Sequence, residues 1–161
     1  MSAPAPEQQT LGLKDEMHMI LEEARMVLPG IQALIGFQTI AVFNQRFTEL
    51  PGYAVAVHLA ALALLAISAA LAMTPAALNR LTHPHGFTRR DVARSSMFLT
   101  WGMLALMLAF ALDGFVVLYT ATEIGWLAVA GGCATLLGFA VLWFVFPLGA
   151  RRLRAQGAHS A

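Results

Sequence analysis

Three side chains, Gln38, His58 and Asp113, stand inside runs of otherwise apolar residues, and these are the groups whose types and placement could do chemistry. A carboxylate that faces lipid unpaired costs a few kcal/mol, so Asp113 is expected to turn inward and find a partner. His58 is the natural one, with Gln38 as a further donor and Arg46 reaching down from a loop. Two chemistries fit such a cluster. In the first it is a hydrogen-bonded clasp that fixes how helices pack, a task for which interhelical polar contacts of well under about 2 kcal/mol suffice. In the second it is a proton or cation site, because a buried aspartate beside a histidine can have its protonation moved into the physiological range. The clasp is the more ordinary reading.

Other residues invite chemistry and support less of it. His83-Pro84-His85 could supply two imidazoles, but zinc needs three or four ligands and a second shell, and the only carboxylate nearby is Asp91. A polar turn broken by Pro84 and Gly86 is the simpler account. The single cysteine, Cys133, lies in an apolar run and can form neither an internal disulfide nor a thiolate metal site. There is no nucleophile-elbow serine, no His-Glu-x-x-His and no phosphate-cradling glycine loop, so neither an enzyme nor a bound cofactor is expected. The arginines are a different matter. Arg89, Arg90 and Arg94, and again Arg151, Arg152 and Arg154, are clustered where they can anchor at lipid phosphates.

The elements that must hold these groups are membrane helices. Of 161 residues, 58% are hydrophobic and only 12% charged, and the mean hydropathy is +0.68. Soluble domains carry about a quarter charged residues, and one this small could not hide so much apolar surface. A net charge of +1 offers no field for nucleic acid. About 20 apolar residues cross a bilayer as a helix, and four stretches come close: about Val27–Phe43, Tyr53–Met73, Met97–Leu118 and Gly125–Leu148. Gln38, His58 and Asp113 each lie about five residues from the same end of their spans, roughly 7 Å below the hydrocarbon surface at about 1.5 Å per residue.

Residues 1–9, rich in Pro and Gln, read as a disordered tail with no signal-peptide pattern. Residues 10–26 read as an amphipathic surface helix, with Leu13, Met17, Ile20, Leu21 and Ala24 on one face and Asp15, Glu16, Glu22 and Glu23 elsewhere. Acidic charge is wrong for anionic lipid, so the apolar face is expected to dock on protein. Pro29 is expected to end that helix or bend it into the membrane. Residues 27–148 then form a four-helix transmembrane domain, and 149–161 a basic tail. Alanines in the second span, and Ala128 and Gly132 in the fourth, allow close helix contact. Of the ten Lys and Arg residues, only Arg46 lies in the two loops opposite the tails and the central Thr74–Ser96 loop, so both termini are expected in the cytoplasm. The expected fold is all-α: an integral membrane four-helix bundle with an N-terminal amphipathic helix.

Arg25, Gly30-Ile31-Gln32, Phe37, Asn44-Gln45-Arg46-Phe47-Thr48-Glu49-Leu50, Tyr53, Pro75 and Asn79-Arg80 together resemble a family of small bacterial inner-membrane proteins of unknown function. The resemblance covers about Leu21 to Leu118, and its most distinctive part is the Gln-Arg-Phe-x-Glu-Leu element. Members often carry histidine where Asn79 stands in this chain. The family implies an architecture and a multi-pass inner-membrane location, but no activity. Two function classes follow. One is a non-enzymatic scaffold or accessory subunit that packs against itself or within a larger membrane complex, with membrane lipids as its surroundings. The other is an ion- or proton-coupled transporter or channel component built on Asp113 and His58, although no inverted repeat with paired broken helices is visible.

Overall fold

The computed structural model describes residues 6–82 and 88–149, and every long element is a helix. They are α1 Pro6–Ala41, the short α2 Gln45–Thr48, α3 Gly52–Thr82, α4 Arg89–Thr122 and α5 Gly125–Ala140. The last continues through a π-helical stretch, Val141–Val145, as one apolar helix to Gly149. Among the described residues three helices are long and apolar enough to cross a membrane: Gly52–Leu81, Arg89–Thr122 and Gly125–Gly149. α1, 36 residues long, is not among them, since Gln32 and Gln38 interrupt the apolar run of its second half.

Two boundaries differ from expectation, for one physical reason. Hydropathy marks where lipid would lie, whereas a helix persists wherever it has something to pack on. α1 begins before Thr10 and, with Ala24 and Ile31 buried on either side, runs unbroken through Pro29, where a separate surface helix was expected to end. In the same way α3 continues through buried Pro75 to Thr82, and α4 starts at Arg89, so most of the expected Thr74–Ser96 loop is helix.

The start of α4 is capped by sequence. The Thr88 backbone N–H donates to Asp91 Oδ2 at 2.9 Å, and the Thr88 hydroxyl donates to the same oxygen. Both bonds run from Thr88 to the Asp91 carboxylate and fix Asp91 in the first turn, where its charge offsets the macrodipole penalty of Arg89 and Arg90.

In α1, α3 and α4 a buried stripe follows a seven-residue repeat. In α1 it is Met17, Ala24, Ile31 and Gln38; in α3, Ala54, His58, Ala61, Leu65, Ser68, Ala72 and Pro75. In α4 it is Val92, Ser95, Leu99, Leu106, Ala109 and Val116, with Gly102 and Asp113 at the intervening positions of the same stripe. Steps of three and four keep side chains on one face of a helix.

The chain divides into two compact units, Met1–Asn44 with Leu62–Leu106 and Gln45–Ala61 with Met107–Ala161. In the first, Ala24, Ala72 and Leu99 form a small apolar core against which Ile20 and Leu28 pack. The apolar face of the acidic segment thus docks on α3 and α4. Ser68 in α3 donates to the Gly102 carbonyl of α4 at 2.8 Å, and a Cβ on Gly102 would touch Leu71 Cβ at 3.4 Å.

In the second unit α4 and α5 approach still more closely. A Cβ on Gly132 would meet the Ala111 carbonyl oxygen at 2.9 Å, and one on Gly114 would meet Thr135 Oγ1 at 3.0 Å. Small residues permit that approach. Phe110 stacks on Phe139 at 4.8 Å, and Phe139 contacts Trp143 at 4.7 Å. The turn from α4 to α5 passes through Glu123 with φ 57°, a left-handed conformation usually left to Gly or Asn.

Candidate functional site

The Gln-Arg-Phe-x-Glu-Leu element folds into α2 and the residues after it, and its side chains go two ways. Phe47 turns inward, its ring meeting the His58 ring edge-on with centroids 5.0 Å apart. Arg46 turns outward, its Nη1 donating to the Thr120 carbonyl at 3.1 Å. Backbone bonds from Glu49 N–H to Arg46 and from Leu50 N–H to Phe47, both 3.3 Å, close the turn and bring Glu49 and Leu50 onto the same side as Arg46.

An outer cleft results, with a volume of about 290 Å³. Arg46, Glu49, Leu50 and Pro51 form one wall; Tyr119, Thr120 and Glu123 form the other. The second wall is the last turn of α4, ended where Glu123 N–H donates to the Tyr119 carbonyl at 2.8 Å. Tyr119 is held by Tyr53, edge-on at 5.5 Å, and stacked on Phe115 at 6.0 Å. The cleft can therefore offer a guanidinium, two carboxylates and a phenol within one small volume.

Deeper in the same unit lies His58, 3% exposed and seated between Ala54 and Ala61 on the α3 stripe. Its Nε2 has no hydrogen-bond partner among the described residues. Asp113 is half-buried on the α4 stripe between Ala109 and Val116. Gln38, 6% exposed, is the last buried residue of the α1 stripe and belongs to the first unit. All three polar residues thus occupy buried stripes of their own helices. Arg46 is exposed and lines the cleft instead of a buried position.

Arg89, Arg90 and Arg94 are exposed at the start of α4. Arg151, Arg152 and Arg154 lie outside the described residues, as do His83 and His85. Among the described residues no group of three or more His, Cys, Asp or Glu could hold a metal ion. Cys133 is exposed on α5.

Glu49, Tyr119 and Glu123 were not singled out from the sequence as site residues. A signal was there, since Arg46, Glu49 and Glu123 are the charged residues of the two loops on that side. Nothing in the sequence brings positions so far apart together.

Three long helices, each apolar enough to cross a membrane, in a chain whose long elements are all helical among the described residues, define an all-helical membrane protein. The chain belongs to the family of unknown function DUF6328, which matches residues 7–147. That agrees with the resemblance carried by the Gln-Arg-Phe-x-Glu-Leu element and extends it at both ends. No curated protein and no solved structure matches the chain.

Proposed function

We propose that the protein is a non-enzymatic scaffold or accessory subunit of the bacterial inner membrane, crossing it four times with both termini in the cytoplasm and packing within a homo- or hetero-oligomeric complex. The observation that carries this is the outward face of α5. Ala130, Ala134 and Gly138, spaced four apart, are all exposed, and a Cβ on Gly138 would meet nothing within 4 Å. Small residues at that spacing let two membrane helices approach closely. Only 6% of the apolar window of that helix is buried within the chain, against 28% for α3 and 39% for α4. It therefore has the most surface to give to another chain. For the fourth crossing the support is the second half of α1, where Phe37 and Ile40 are 71% and 68% exposed, and the turn after it, where Phe43 is 84% exposed, a surface that suits lipid better than water.

The test is the native mass of the detergent-solubilised protein, alone and with Ala134→Ile and Gly138→Ile together. A stable assembly that the double variant dissociates supports the reading; a monomer whose mass the variant leaves unchanged refutes it. A cytoplasm-only reporter should work after Ala161 or near Gly86 and stay silent near Pro51. The reverse pattern inverts the topology.

The runner-up is an ion- or proton-coupled carrier or channel component using Asp113 and His58. What favours it is that an imidazole is buried with a nitrogen left unpartnered, in the same unit as an aspartate. Burial of that kind is costly for a residue with no task.

A further inference from the structure

The outer cleft of the second unit holds both signs of charge, and it lies where three spans stop. The α3 span begins at Gly52, the α4 span ends at Thr122 and the α5 span begins at Gly125, while the cleft is built from residues 46–51 and 119–123. When those helices cross a bilayer, this is the level at which hydrocarbon gives way to headgroups. The aromatic residues agree. Tyr53 and Tyr119 pair at the rim, and Trp126, 74% exposed, follows in the first turn of α5, in keeping with the amphipathic belt at a membrane edge.

We propose that this cleft binds the headgroup of a phospholipid that carries a primary ammonium, with its phosphate on Arg46 and its ammonium between Glu49 and Glu123. The chemistry sorts the candidates. A guanidinium carries its N–H donors in a fixed fork suited to phosphate oxygens, and the bond to the Thr120 carbonyl holds that of Arg46 at the cleft wall. Two carboxylates against one guanidinium leave the cleft short of positive charge, so an anionic headgroup is opposed. A zwitterion with phosphate and ammonium satisfies both signs at once. A quaternary ammonium has the charge but no N–H to donate to Glu49 or Glu123. The volume of about 290 Å³ stands at the lower end of ligand pockets, which are about 300–1,000 Å³, and suits a headgroup with its chains left outside. Exposed Val129 on α5, one turn beyond Trp126, offers the chains an apolar wall. This inference rests on the membrane character of the helices and stands whichever function class holds.

The experiment uses the purified full chain in detergent, offered ethanolamine, choline and glycerol phospholipids with the same acyl chains in equal amounts, and reads retained lipid by native mass spectrometry. The ethanolamine lipid should be retained about fivefold over the choline lipid, the factor that a net hydrogen bond of about 1 kcal/mol supplies when the charge is common to both. Glu49→Gln and Glu123→Gln should each lower that ratio toward one while leaving the melting temperature and elution volume unchanged. Because these are separate carboxylates on separate segments, either variant carries the test if the other fails to fold. Equal retention of all three lipids overturns the proposal, as does wild-type selectivity in both variants, the result that a self-contained ion network would give. Soluble phosphoethanolamine that binds the protein in pure choline lipid, and loses binding in the same variants, would assign the cleft to a free solute and overturn the lipid assignment.

Discussion

Replacing Gly132 by alanine adds one methyl group where α5 meets α4, and the structure says what it hits. The new Cβ would stand 2.9 Å from the Ala111 carbonyl oxygen and 3.3 Å from Phe115 Cβ. Both belong to or adjoin the α4 backbone, so no rotamer change relieves the contact and the helices must separate. Overpacking of this kind costs about 1–3 kcal/mol, against which alanine in a helix regains about 0.5–1 kcal/mol over glycine. Gly36→Ala supplies the control, since it makes the same exchange inside a helix, α1, with nothing within 4 Å of the new atom. Propensity cancels between the pair, and the Gly132 variant should be about 1–3 kcal/mol the less stable. A third variant sharpens the reasoning. A Cβ on Gly131 would fall 1.9 Å from Leu118 Cδ1, nominally a worse clash, but the obstacle is the far end of a flexible side chain that can turn away. Gly131→Ala should therefore be milder than Gly132→Ala. Denaturant titration in mixed micelles, followed by loss of helical signal and by Trp143 fluorescence, ranks the three. If Gly131→Ala proves the more damaging, or if Gly132→Ala matches Gly36→Ala, the close packing of α4 on α5 has been misread.

Asp113→Asn keeps much of the hydrogen bonding and removes the charge, so a structural clasp predicts unchanged assembly and a melting temperature within a few degrees, whereas an ion site predicts loss of ion flux in reconstituted vesicles. Glu123→Gly relieves the left-handed φ of 57° and should raise stability by up to about 1 kcal/mol; a loss of stability would mean that the Glu123 side chain holds the turn. Thr88→Ala removes the hydroxyl and spares the backbone bond to Asp91, and should cost about 1 kcal/mol in thermal unfolding; no change would mean that the cap is idle.

How much of this was legible in the sequence depended on whether the signal was local. The spans after the first could be read from apolar runs, and the last was placed almost to the residue. Hydropathy failed where helices leave the apolar zone. Arg89–Ser96 reads as polar loop, yet Val92 and Ser95 fall on the buried stripe of α4, and the Thr88 cap marks a helix start well before the apolar run. Pro29 was expected to end or bend the first helix, yet α1 runs through it as α3 runs through Pro75, because the loss of one backbone bond is tolerated when the flanking turns are packed. For the polar residues, the sequence indicated their depth, and the stripes supplied their direction. The cleft was out of reach, since its walls are about 70 residues apart in the chain and are joined by tertiary contacts such as the bond from Arg46 to Thr120.

The bond from Ser68 to the Gly102 carbonyl has one more consequence. Two long helices that meet along a repeat of seven present nearly the same apolar profile if one slides along the other by a turn, about 5.4 Å, because alanine and leucine offer little to distinguish one level from the next. A lone hydroxyl that finds its acceptor at a single level removes that degeneracy, much as one buried polar residue selects the alignment of a coiled coil. Ser68 is 1% exposed, so a slipped α3 would strand it in an apolar setting without water to compensate. Its contribution is then felt less in the depth of the native well than in the height of the neighbouring ones. Ser68→Ala would leave a protein of similar stability in which α3 and α4 no longer have a unique alignment.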